Sequence, residues 1–368
     1  MKVNQEILKK ESLIIAFDTS CDDTSVSVLK GRKVLSSVVS SQVEIHAEFG
    51  GVVPDVARRE HEKNIQRIYE EALKKAKTKI EDVEYISATY GPGLAIDLEI
   101  GLKFAQDLAI KYDKPFIPVN HMEGHLLSGL LLNSKGNGLV TNEKLENIFP
   151  SLGLLISGKH TEIIYIEELG KYKKLGQTLD DAVGEAFDKV GRMLNFGYPG
   201  GPVVSEFAKK GTSGIIDLPI PMKGSGDLNF SYSGLKTAAL YKTKQLREQG
   251  LPDKEWVYDF CRAFLDAVIE SLNLKLRKAI EENIQIKSVF IGGGVVNSEE
   301  ILRRIGNLVR SYELDYIYPE KEYRGDNAAM IGLAAYFKSL RGEYLQSKEE
   351  ISLVDRDPRL SIEENPLK

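Results

Sequence analysis

Cysteine is scarce in this chain: Cys21 and Cys261 are the only two in 368 residues. Two distant thiols give no disulfide framework and suit a reducing compartment, so a cytoplasmic location is expected. Tryptophan occurs once and histidine five times. No apolar run reaches the ~18 residues that a membrane helix needs. The opening MKVNQEILKKES lacks an apolar segment and carries acids, which fits neither a secretory nor a mitochondrial presequence. Positive charge is not in excess either: 49 Lys and Arg stand against 54 Asp and Glu. A nucleic-acid partner is therefore not implied by global charge and would need a local basic patch.

Set against these absences are 42% hydrophobic and 28% charged residues, the balance of an ordinary folded protein. The length suggests about two domains. Despite the small supply of histidine, two stand four apart in Asn120-His-Met-Glu-Gly-His125. On a helix that spacing puts both imidazoles on one face, where they can reach a single cation. A zinc protease would want Glu directly after the first His, as H-E-x-x-H, but position 122 is Met. Glu123 falls about 200° round the helix from His121, away from the cation. A third ligand must come from elsewhere, and Asp326, near the start of the last helix, is one candidate; it could equally be that helix's cap. Two His and one carboxylate suit Fe(II) or catalytic Zn.

The hydrophobic pattern organises the rest. Leu13–Phe17, Thr24–Leu29 and Val34–Val39 read as a three-strand meander. A helical pattern follows to about Ala76, then a strand (Tyr85–Thr89), a helix and a strand (Pro115–Val119). Pro118 suggests an edge or a strand end. Residues 133–149 are polar and read as an exposed loop. The pattern then returns with strands Ser151–Ile156, Glu162–Ile166 and Tyr172–Leu175, and later Ser288–Ile291 and Leu314–Ile317 between helices. The expectation is a repeated topology in two lobes that offer a cleft for a nucleotide. Glycine turns between strand and helix, at Gly91-Pro-Gly93 and Gly292-Gly-Gly294, could present backbone N–H groups to a phosphate. Asp181, Glu185 and Asp188 should lie near one helical face. His46 and His61 are read as structural. The charged chain after about Arg341 is expected to fray.

The motifs together resemble the TsaD-type tRNA threonylcarbamoyladenosine synthases, once called O-sialoglycoprotein endopeptidases, of the actin, heat-shock ATPase and sugar-kinase (ASKHA) superfamily. The matches are T-S-C-D at 19–22, S-Q at 41–42, G-G-V-V-P at 50–54, G-P-G-L at 91–94 and N-H-x-E-G-H at 120–125. They continue with S-G-x-H-T at 157–161, G-E-A-F-D-K at 184–189, P-G-G-P at 199–202, F-S-Y-S-G-L-K-T at 230–237, G-G-G-V-x-N at 292–297 and G-D-N-A-A-M-I at 325–331. The resemblance implies an α/β, actin/Hsp70-like two-lobe fold with a duplicated mixed β-sheet core flanked by helices. Its boundaries would be 12–132 and 150–325, with a helix at 326–341 returning to the first lobe and a charged tail at 342–368.

The implied activity is transfer of a threonylcarbamoyl group from threonylcarbamoyl-AMP to N6 of adenosine 37 in tRNAs reading ANN codons. His121, His125 and Asp326 would hold the metal, Fe(II) or Zn. Leu155, Ile156, Ser157, Gly158, Lys159, Asp188, Gly201 and Asn297 would bind the adenylate, and Asp22 and Asp23 would position or deprotonate the attacking amine. A TsaB-type paralogue and a TsaE-type P-loop ATPase would be partners. The chain departs from the family pattern at Asp18 and Asp23, which replace Glu, and at Lys159, which replaces Gly. The shorter carboxylate at 23 draws the acid back by roughly 1.5 Å. Two other readings follow: a metal-dependent glycoprotease, which Met122 opposes, and a nucleotide-binding scaffold with impaired catalysis.

Overall fold

Leu13–Asp18 (β1) and Tyr85–Gly91 (β4) bury nearly every residue, as strands covered on both faces do. In the computed structural model, which describes residues 5–250 and 252–364, they lie side by side and parallel, with Ile14 opposite Tyr85. Asp23–Lys30 (β2) pairs antiparallel with β1, and Lys33–Ser41 (β3) with β2. Phe116–Asn120 (β5) runs parallel to β4 at the far edge, giving the order β3-β2-β1-β4-β5. Pro118 thus sits on an edge strand, as expected.

The same order is built a second time. Ser151–Ile156 (β6), Thr161–Glu168 (β7) and Lys171–Gln177 (β8) form the meander. Ser288–Gly292 (β9) and Asp315–Ile317 (β10) complete the sheet β10-β9-β6-β7-β8, with β9 parallel to β6. The expected duplicated mixed sheet is present. The chain divides into one compact unit of Met1–Phe149, Ile166–Lys173 and Ile317–Lys368, and another of Pro150–Tyr165 and Lys174–Tyr316. No helix of the described residues is long and apolar enough to cross a membrane.

Helices cover the first sheet for readable reasons. Pro54 opens Pro54–Ala76 at a position where its missing N–H costs nothing, and Ile65, Ile68 and Ala72 bury one stripe. Ala328–Leu340 buries every residue up to Ser339, consistent with its apolar composition. It packs closely: a Cβ on Gly332 would lie 2.3 Å from Leu29 Cδ1.

Two expectations are corrected. Residues 133–149 are not simply exposed loop, because Val140, Leu145 and Ile148 are buried. The Arg32 guanidinium ties the segment down, donating to Leu130 O at 2.8 Å, Asn142 Oδ1 at 2.7 Å and Val140 O. The chain after Arg341 does not fray up to residue 364. Leu345 pairs with Phe116 backbone to backbone along the edge of β5, and Ile351, Leu360 and Ile362 are buried. Scattered single apolar residues in a charged segment carry no periodicity, so their burial left no sequence pattern.

Candidate metal centre and nucleotide pocket

Strand β5 delivers the chain to Asn120, whose Oδ1 accepts from Met122 N at 2.8 Å and Glu123 N at 3.3 Å and so caps the helix His121–Leu127. Both histidine rings lie on one face, 4.6 Å between centroids. Gly124, between them, lets this helix press against Ala328–Leu340: a Cβ there would come within 3.0 Å of Ile331 Cδ1 and 3.1 Å of Met330 Cγ. That approach brings Asp326 to the histidines. Its Oδ1 is 3.0 Å from His125 Nε2 and 3.7 Å from His121 Nε2. Asp326 does not cap the helix Ala328–Leu340, since Asn327 does so by accepting from Met330 N at 3.1 Å.

The three side chains fit a cation. One ligand atom from each lies within 4.8 Å of the others. His125 is 1% exposed, yet neither ring nitrogen has a hydrogen-bond partner among the described residues. Its contact with Asp326 is close but not aligned as a hydrogen bond. A buried imidazole with nothing to bond is costly, and a shared ion removes the cost. The neighbours of His121 point the same way. Ser20 Oγ is 3.1 Å and Asp18 Oδ2 3.5 Å from Nδ1. Asp18 is itself fixed, since its Oδ1 accepts from Thr89 Oγ1 at 2.8 Å. A carboxylate at Nδ1 holds the proton there and leaves the Nε2 lone pair for a metal.

Asp23 opens β2 and Asp22 precedes it. Burial pushes the Asp23 carboxyl up to about 7; Asp326, Asp22 and Asp18 push it the same way, and a Ser41 hydroxyl opposes them. Glu123 turns elsewhere: it accepts from Tyr172 Oη at 2.8 Å. His46 and His61 are structural, as expected. Thr24 Oγ1 and Cys21 O hold the two nitrogens of His61 at 2.8 Å each, and burial lowers its pKa. His46 contacts Gln42 Oε1 and Val53 N.

The second unit carries a cavity of about 340 Å³ whose lining includes Gly158, Phe187, Asp188, Pro199, Gly201 and Asn297. That volume suits a small ligand. Of the predicted stretch 155–159, only Gly158 lines it. Leu155 and Ile156 are fully buried, the Ser157 hydroxyl accepts from His160 N at 3.1 Å, and Lys159 is exposed. Asp188 Oδ1 accepts from Gly200 N at 2.9 Å and Gly201 N at 3.1 Å. These helix-opening amides are therefore capped by the protein itself. Asp181 precedes the helix Val183–Met193; it and Glu185 grip Lys189 at 2.6 Å each, while Asp188 faces the glycine turn. The turn at Gly91–Gly93 presents no open phosphate site, because Gly93 N donates to Pro358 O and Leu94 N to Ser20 O. A larger cavity of about 620 Å³, along β3 and the helix Pro54–Ala76, contains none of these residues.

Comparison with known proteins decides the family. The family model "TsaD: tRNA N6-adenosine threonylcarbamoyltransferase" matches residues 33–333. The chain belongs to the TsaD family. The TsaD-family tRNA N6-adenosine threonylcarbamoyltransferase of Thermodesulfovibrio yellowstonii is 42% identical over 333 residues, covering 90% of this chain and 96% of that protein. The one from Dictyoglomus turgidum is 41% identical over 351 residues, covering 94% and 100%. The fold is shared with T. kodakarensis HypF, at TM-score 0.59 and 16% identity, covering 94% of this chain and 50% of that one. The chain is a transferase with the actin/Hsp70-like fold. Asp18 belongs to the TsaD motif, but its place beside His121 comes from the fold and not from the motif. A carboxylate ending the central strand, one residue from a hydroxyl cluster, was the available signal.

Proposed function

We propose that this chain forms N6-threonylcarbamoyladenosine at position 37 of ANN-decoding tRNAs, with threonylcarbamoyl-AMP as donor. The observation that carries the reading is the convergence of His121, His125 and Asp326, with neither His125 ring nitrogen hydrogen-bonded among the described residues. In a TsaD-family chain, these three residues would hold one divalent ion, Fe(II) or Zn(II), which supplies Lewis acidity toward the threonylcarbamoyl group.

The chain's own residues supply the rest. Asp18 and Ser20 keep the His121 proton on Nδ1. The adenylate is bound in the cavity around Gly158, Asp188, Gly201 and Asn297. Asp188 lines that cavity beside Gly201, and its carboxylate is suited to the ribose hydroxyls. The adenine N6 attacks the carbamoyl carbon, the bond from that carbon to the phosphate oxygen breaks, and AMP leaves. N6 is a weak nucleophile and must lose a proton. Asp23, with Asp22 beside it, is assigned as acceptor, and its raised affinity for a proton suits that task. A nearby dication would draw this pKa down again, so the carboxylate would be ionised when the centre is loaded. Glu123, bound to Tyr172, does not supply the base that a protease would need.

A TsaB-type paralogue and a TsaE-type ATPase are proposed as partners, and the cytoplasm as the location. The test is reconstitution with threonylcarbamoyl-AMP and an ANN-decoding tRNA. Product nucleoside measured by mass spectrometry supports the reading. Peptide cleavage without nucleoside product would replace it.

A further inference from the structure

The C-terminal segment closes the turn after β4. Asp357 N donates to Tyr90 O at 2.8 Å, and a Cβ on Gly91 would lie 1.9 Å from Asp357 O. Leu360 and Ile362 are buried beside it. Between them, Ser361 O accepts from Asn120 Nδ2 at 3.0 Å. The same Asn120 amide, through Oδ1, caps the helix that begins at His121. One side chain is thus held at both ends. Its orientation matters, because a flipped amide would aim NH₂ at the helix N–H groups and lose the cap. The Ser361 carbonyl selects the capping orientation.

A buried network lies behind the helix. Arg341 donates to Glu343 and faces Glu123 at 3.8 Å, with a side chain 9% exposed. Its Nη1 and the Tyr90 hydroxyl are buried with no hydrogen-bond partner among the described residues. A cavity of about 30 Å³ adjoins Tyr90, Asn120, Glu123 and Arg341, and has room for one water.

We propose that residues 355–364 act as a strap that sets the metal-binding helix through Asn120, which makes Asn120 a positioning residue for His121 and His125. The inference rests on the metal reading above. The test is metal affinity of the full-length protein, measured with Co²⁺ by chelator competition and by its visible absorption. Asn120→Asp retains the cap acceptor, since Asp and Asn cap equally well, but sets an oxygen against Ser361 O. If the cap alone mattered, affinity would be unchanged or, given the added negative charge, tighter. The strap predicts about tenfold weaker binding and an altered Co²⁺ spectrum. Gly91→Ala, which touches no ligand but presses on Asp357 O, should weaken binding in the same direction and decides the matter if Asn120→Asp does not fold. Wild-type protein that binds no Co²⁺ would overturn the metal centre itself. Wild-type binding with unchanged affinity in a folded variant would overturn only the strap.

Discussion

Asp18→Asn changes one atom beside His121 and leaves shape nearly intact. In the wild type, Asp18 Oδ2 lies 3.5 Å and Ser20 Oγ 3.1 Å from Nδ1, and Thr89 fixes the other carboxylate oxygen. An amide keeps the contact with Thr89 and presents NH₂ to Nδ1. That donor favours the tautomer with its proton on Nε2, the nitrogen facing Asp326, and so removes a metal ligand's lone pair. Loss of such an orienting partner typically weakens metal binding by about 10–100-fold, or roughly 1.4–2.7 kcal/mol. Ser20 can still accept from Nδ1–H, so the single variant belongs near the lower figure and Asp18→Asn/Ser20→Ala near the upper. Competition titration with a chromophoric chelator measures both, with thermal unfolding as a check on folding. Unchanged affinity in the folded double variant would refute the claim that these groups set the His121 tautomer.

Asp23→Asn should stabilise the metal-free protein above neutral pH. A carboxyl whose folded pKa is raised to about 7 binds more protons folded than unfolded, so stability falls as pH rises from about 4 to 7. Removing the acid removes that loss, an effect of roughly 2–4 kcal/mol at most, seen by comparing melting at pH 5 and pH 8; parallel pH profiles for both proteins would count against it. Gly293→Ala should destabilise the protein by about 2 kcal/mol or more, because Gly293 has φ of 98° and a Cβ would lie 2.4 Å from Ile156 O; denaturant unfolding reads this directly. Lys159→Gly should change AMP affinity less than about threefold by calorimetry, since Lys159 is exposed and does not line the cavity.

Much of this site was readable because its signals are local. Two histidines one helical turn apart and an acid at a helix start are spacing arguments, and the structure brings all three together. Strands β1 and β6 were readable because burial on both faces leaves unbroken apolar runs such as Leu13–Phe17. What the sequence concealed depends on distant parts of the chain. The Gly91–Gly93 turn looked available to phosphate, but residues 357 and 358 occupy it. Gly201, which the resemblance places at the adenylate, donates its amide to Asp188. Leu345, Ile351, Leu360 and Ile362 have no shared period, so a charged tail concealed a folded strap. Asp18 meets His121 only because β1 and β5 run parallel and finish at the same end of one sheet.

The most direct test of the metal-assisted transfer is single-turnover formation of N6-threonylcarbamoyladenosine on an ANN-decoding tRNA, with threonylcarbamoyl-AMP and the partner proteins supplied. Wild-type protein should yield the modified nucleoside, and Asp326→Ala should yield at least about 100-fold less while melting as the wild type does. Full product from Asp326→Ala would contradict the role given to the His121–His125–Asp326 centre.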